Sequence, residues 1–199
     1  PLEQMTAQER LELGRSRYEE GKIFEAIEVW ANITRDGTPD AYAKAQLSLG
    51  NAYESLGDLD KATNVWSNIH YDDVPEAYAW AQFSLGDAYE DQGKLDKAIT
   101  AWSNIHHDVD PEAYAKAQLS LGFAYRTQGK LDKAITAWSN IHHDVDPEAY
   151  AKAQLSLGFA YRTQGKLDKA ITAWSNIHHD DNPEAYAKAQ LSLGFAYRT

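Results

Sequence analysis

The sequence predicts an all-α solenoid built by stacking antiparallel helix-turn-helix units. Three observations carry the prediction. Pro39, Pro75, Pro111, Pro147 and Pro183 recur every 36 residues. The unit from Pro111 to Asp146 matches the next unit at 34 of 36 positions, the preceding one at 31 and the one before that at 24. No segment alternates apolar and polar residues as a strand does, and Ala is abundant. A fixed period of this length implies stacking, because one unit cannot bury its own apolar face.

Each unit reads as two helices. Asp110 is placed to cap the first helix, Pro111 suits its first position, and Glu112 favours its positive end. This helix is expected to run to about Gln128, a rod of about 27 Å. Gly129 supplies the left-handed residue that stops it. The second helix is expected from about Leu131 to about His143, with Asp132 in its first turn, before the chain turns into the next Pro. Tyr114, Leu121, Tyr125, Leu131, Ala134, Ile135 and Trp138 form the expected core, and Gly122 lets helices approach. The units are approximately 3–38, 39–74, 75–110, 111–146 and 147–182, followed by a first helix at 183–199, in one array. The opening unit is diverged but keeps Leu13, Gly14, Gly21, Ala26 and Trp30 in register.

The spacing Leu121-Gly122, Tyr125, Ala134, Trp138 and Pro147 resembles a tetratricopeptide repeat, and Leu85, Gly86, Tyr89, Ala98 and Trp102 repeat it one unit earlier. Gln118 replaces the first Trp of that pattern, Ile141 stands where a small residue is usual, and the period is 36 rather than about 34. The resemblance covers nearly the whole chain. It implies a right-handed superhelix, and a scaffold that binds partners rather than an enzyme.

The units differ in an organised way. Residues 75–110 and 111–146 differ at five positions only: Trp80/Lys116, Phe83/Leu119, Asp87/Phe123, Glu90/Arg126 and Asp91/Thr127. On a helix these five span an arc of about 100°, opposite the constant residues. The resemblance implies that this face lines a concave groove. The stripe is therefore the expected binding surface for a peptide or protein segment. It comprises Asn51 and Glu54, then Trp80, Phe83, Asp87, Glu90 and Asp91, then Lys116, Phe123 and Arg126, then Lys152, Phe159 and Arg162. Its first part is acidic and its last part basic and aromatic. An extended peptide would thus lie with its basic end toward Glu54–Asp91 and its acidic end toward the later units.

The last copy halts at Thr199 after its first helix, so Leu193 and Tyr197 are expected to be partly exposed and to offer an end-to-end contact with a second chain. A self-associating structural array is the alternative reading.

Composition excludes other classes. Net charge is -11, and residues 1–110 hold 21 Asp+Glu against 9 Lys+Arg. Such a surface repels phosphates, so nucleic acid is not expected as a partner. With no Cys there is no thiolate chemistry. The pairs His106-His107, His142-His143 and His178-His179 point about 100° apart and do not chelate as an i, i+4 pair does, so no metal is expected. Ser120 and Ser139 recur with their units from residue 39 onward, whereas a catalytic centre is a unique constellation, so neither catalysis nor a cofactor is expected. No apolar run is long enough to span a membrane, and Pro1–Met5 does not open a secretion signal, which favours a cytoplasmic location.

Overall fold

The computed structural model describes residues 1–36 and 38–198. The chain forms two compact units, Pro1–Ile105 and His106–Thr199. In the first, a 3-10 turn (Leu2–Gln4) precedes α1 (Ala7–Glu19), α2 (Ile23–Ala31), α3 (Pro39–Ser55), α4 (Leu59–Trp66), α5 (Pro75–Asp91) and α6 (Leu95–Ser103). The second contains α7 (Pro111–Thr127), α8 (Leu131–Ser139), α9 (Pro147–Thr163), α10 (Leu167–Ser175) and α11 (Pro183–Ala196). No strand occurs among the described residues. Long first helices and short second helices alternate. Within each unit the successive first helices pack side by side, α1·α3·α5 and α7·α9·α11.

Local sequence sets the helix ends. Asp110 and Asp146 cap α7 and α9 by accepting the backbone N–H of Ala113 and Ala149 at 2.9 Å. Asn182 does the same for Ala185 at the start of α11. At α1 the device is a capping box, Thr6 and Glu9 each accepting the other's backbone N–H. The turn after α7 needs Gly129, whose φ is 74°. Its N–H bonds Arg126 O, and the N–H of Lys130 reaches back to Tyr125 O, both at 2.9 Å.

The second helices are shorter than the sequence pattern indicates. The expected end near His143 is corrected to Ser139. Two side chains draw the chain out of the helix. Ile141 is buried in the core with Trp138, Ala149 and Ala153. Asn140 Nδ2 donates to Gln118 Oε1 at 3.0 Å. His142 and His143 therefore lie in the following turn. Gln118, only 8% exposed, is the buried half of this tie. The pairs Asn68–Gln46, Asn104–Gln82 and Asn176–Gln154 repeat the bond at 3.3, 3.0 and 3.1 Å. What stands out in the sequence as a missing Trp is a repeated internal hydrogen bond. Its acceptor, the Gln side chain, is withdrawn from water, where leaving it unpaired is costly.

The core of every pair is an indole resting on a glycine. Trp66, Trp102, Trp138 and Trp174 are 0% exposed and Trp30 is 4% exposed. A Cβ placed on Gly14, Gly50, Gly86, Gly122 or Gly158 would overlap the indole of the same pair. A Cβ on Gly194 meets nothing within 4 Å. Gly122→Ala is expected to destabilise the protein by about 2–4 kcal/mol. Gly194→Ala, on a helix with no indole above it, is expected to be neutral or slightly stabilising, because Ala is the better helix former. Urea unfolding of the two variants measures the contrast, and equal losses would contradict the socket.

Candidate functional site

The varied stripe lies on the first helices, over the indoles. Its central position falls once per repeat at Arg15, Asn51, Asp87, Phe123 and Phe159. What stands there decides how each indole is covered.

In the unit beginning at Pro1, α5 carries the acidic and aromatic part. Trp80 and Phe83 are half-buried and meet edge to face with centroids 6.0 Å apart. Asp87 is half-buried and accepts the Trp102 indole N–H at 3.2 Å. Burial pushes its carboxyl up to about 7, and Glu90, Glu54 and Asp91 add to the rise, against the Trp102 hydrogen bond, which lowers it. Burial also raises Glu54 and Glu90, with Asp91 contributing to each. The four carboxylates thus share one region of the surface, and Glu54, Glu90 and Asp91 are exposed. Asn51 is exposed on α3, and beneath it the Trp66 indole N–H donates to Leu47 O at 3.3 Å.

In the unit beginning at His106 the same positions carry a three-layer stack. Phe123 is half-buried and edge-on to Trp138 at 5.5 Å. The Arg126 guanidinium lies 5.2 Å over the Phe123 ring and 6.0 Å from the Trp138 ring. Phe159, Trp174 and Arg162 repeat the arrangement at 5.5, 5.2 and 5.8 Å. No carboxylate reaches these indoles, and the buried Nε1 atoms of Trp138 and Trp174 lack a hydrogen-bond partner. Arg126 and Arg162 are exposed, and neither is among the ion pairs. The lysines of the stripe are paired: Lys116 with Asp146 at 3.4 Å and Glu112 at 3.8 Å, Lys152 with Glu148 at 2.7 Å.

Phe123 and Phe159, expected as members of the binding stripe, are half-buried, and beyond each ring lies the guanidinium of Arg126 or Arg162. The spacing Phe-x-x-Arg, one helical turn, was the signal for that stack. On α11, Tyr197 is 72% exposed, whereas Leu193 is half-buried beside Trp174 and Ile177. The pattern missed Leu191 and Phe195, which are 64% and 57% exposed.

The histidines lie in the turns. His143 Nε2 is 2.7 Å from Asp181 Oδ2, and its ring is 6.0 Å from that of His178. Among the described residues no three His, Asp or Glu side chains gather as a metal site. Among the same residues no helix is long and apolar enough to cross a membrane.

The tetratricopeptide repeat model matches residues 11–63, 85–142 and 119–185, well over half of the chain. The chain belongs to the tetratricopeptide repeat family. Tetratricopeptide proteins also supply its structural likenesses. The crystal structure of MamA is 24% identical, covers 90% of this chain and 95% of its own, and gives a TM-score of 0.65. MamA from residue 41 to the end, from Desulfovibrio magneticus RS-1, is 22% identical over 86% and 92% of the two chains, with a TM-score of 0.62. YrrB, described as a TPR protein with an unusual peptide-binding site, is 15% identical over 94% and 91%, with a TM-score of 0.63. At these identities the likeness is one of fold. No curated protein sequence matches the chain.

Asp87 gives this tetratricopeptide surface a pH dependence. Its carboxyl titrates near about 7 in the folded protein and near ~3.9 in the unfolded chain. Between those values the folded state holds a proton that the unfolded state has released. The stability tied to this group is therefore full at acid pH and is lost as pH rises toward 7. Asp87→Asn keeps an oxygen for Trp102 and removes the titration. The variant is expected to match the parent near pH 4 and to exceed it at pH 8 by about 1–2 kcal/mol after solvent screening. Unfolding curves across that range check it, and parallel profiles would count against it.

Proposed function

We propose that the first-helix faces of this protein bind a peptide or protein segment, with no catalytic step. One observation carries the reading. Two neighbouring repeats, identical in every core residue and throughout the second helix, differ at five positions, and all five lie on one face of the first helix. Drift on tolerant surfaces would have altered the exposed side of the second helix as well.

Charge assigns the chemistry of the segment. On α7 and α9, Arg126 and Arg162 join no ion pair among the described residues and lie over phenyl rings, free to donate two parallel hydrogen bonds to a carboxylate. This face suits an acidic segment. On α5, the Asp87 cluster beside Trp80 and Phe83 suits a basic or aromatic one. YrrB, of the same fold, is described as having an unusual peptide-binding site, which supports peptide binding as a use of this fold.

The test is an array of acidic, neutral and basic peptides read with the full chain. Binding to acidic members is expected to weaken about 10–100-fold in Arg126→Ala plus Arg162→Ala and to fall with added salt, with helical circular dichroism unchanged. Equal binding by parent and variant would remove the reading.

A second reading is favoured by the exposure of Leu191 and Phe195, one turn apart on α11, and of Tyr197 at its cap. Exposed apolar side chains on one face mark contact surfaces, and a second copy is the partner of this reading. Sedimentation is expected to show a weak, concentration-dependent dimer that Phe195→Glu plus Tyr197→Glu abolishes. A monomer at all concentrations would set this reading aside.

A further inference from the structure

We infer that the edge formed by Phe24 on α2 and Leu56 at the end of α3 is a docking surface for α11 of a second copy of this chain, so that copies join head to tail. The inference rests on the self-association reading of α11 and goes further by naming the surface that receives it.

Repeat register marks the edge as an exception. Phe24 occupies the position that Asp60 and Asp132 hold later in the chain, and Leu56 the position of Gln92 and Gln164. There a hydrogen bond ties the two side chains across neighbouring repeats. Gln92 Nε2 donates to Asp60 Oδ1 at 3.4 Å, and Gln164 Nε2 to Asp132 Oδ1 at 2.9 Å. In the first two repeats an apolar pair stands in place of that bond, with Phe24 75% and Leu56 40% exposed. The fold does not call for it, since Asp and Gln serve the same place in later repeats.

The face of α11 is an exception of the opposite kind. The counterparts of Leu191 and Phe195 on α9 are Leu155 and Phe159. Those two pack against the core cluster of Trp174 and Ile177. On α11 both positions are exposed. One surface is thus apolar where other repeats are polar, and the other is open where another repeat is covered. A single contact between two copies withdraws both from water.

Charge favours this pairing over head against head. Pro1–Ile105 holds 19 Asp+Glu and 9 Lys+Arg, whereas His106–Thr199 holds 11 and 10. Two strongly acidic units repel, and an acidic unit meeting a near-neutral one does not. The charged residues flanking the edge are paired within the chain: Lys22 with Glu20 at 2.7 Å, Arg17 with Glu25 at 3.3 Å and Lys61 with Asp58 at 3.4 Å. An apolar face settles there without stranding a lone charge. Tail against tail also escapes repulsion, but it leaves Phe24 and Leu56 in water. With so few side chains on each side, the contact belongs to the weak, transient class.

The experiment is sedimentation velocity of the full chain over a concentration series, with two variants. Phe24→Asp plus Leu56→Gln writes the later repeats' hydrogen bond into the first two, so the helical circular dichroism is expected to stay unchanged. Phe195→Glu plus Tyr197→Glu blocks the other surface. Each variant alone is expected to associate at least about tenfold more weakly than the parent. An equimolar mixture of the two is expected to form pairs and to stop there, because each chain supplies the surface the other lacks and a head-to-tail contact does not close on itself. If the Phe24 variant associates as the parent does while the Phe195 variant does not, the inference is overturned and the α11 reading stands. A mixture that stays monomeric also overturns it. A parent that is monomeric at every concentration ends both.

Discussion

The contact on which the rest of this protein depends is the indole seated on a helical glycine. Trp138 reaches Gly122 because Gly122 has no side chain, and the two helices of the pair approach to that distance and no other. The contact sets the separation of first and second helix in five successive pairs. Replacing so buried a Trp by Ala typically costs about 3–5 kcal/mol. Each pair thus has a deep anchor of its own. The buried Asn–Gln bond then fixes where the short helix ends.

Fixing the indole from below leaves its upper edge as the one part of the anchor that a first-helix side chain can reach. Three solutions are used there across five positions. Asp87 takes the indole N–H at the cost of a carboxyl that titrates near about 7. Phe123 and Phe159 cover the ring and leave the N–H unpaired, then carry an arginine. At Arg15 and Asn51 the N–H turns to a backbone carbonyl, and beside Arg15 the Tyr18 ring meets the indole at 5.9 Å. One position per repeat therefore controls charge, shape and titration of the surface without disturbing the anchor. This is the physical basis for a constant scaffold with a private surface on each repeat.

Most of the fold was legible in the sequence because the determinants are local and repeated. Asp110 before Pro111, Gly129 after Thr127 and Trp138 sixteen residues beyond Gly122 each announce a feature within one turn or one pair. The end of the second helix was not legible. Ile141 continues the helical period, and the burial of its side chain against Ala149 and Ala153, with the Asn140–Gln118 bond, takes it out of the helix. The stripe was legible as a set of positions, since it is where otherwise identical repeats disagree. The roles of its members were not. Whether Phe123 faces a ligand or an indole depends on the depth of Trp138, a distance between helices that spacing along one helix does not contain.

Differences between repeats are not all of one kind, and the structure separates them. Residues 111–146 and 147–182 differ only at Val145/Asp181 and Asp146/Asn182. Both differences are accounted for within the fold. Asp181 meets His143 at 2.7 Å, as Asp73 meets Arg35 at 2.6 Å in the other unit. Where Val145 stands instead of an aspartate, it is half-buried in the core cluster of Trp138 and Ile141. Asn182 caps α11 with its Oδ1 as Asp146 caps α9. These exchanges swap one internal contact for another and leave the outer surface of the first helices alone. The five differences around Trp80 and Asp87 do the opposite. They leave the turns and the second helix untouched and change the charge of an exposed face from acidic to basic within one repeat. The core does not require that change of sign, and the segment proposed to bind this face is the constraint that would select it.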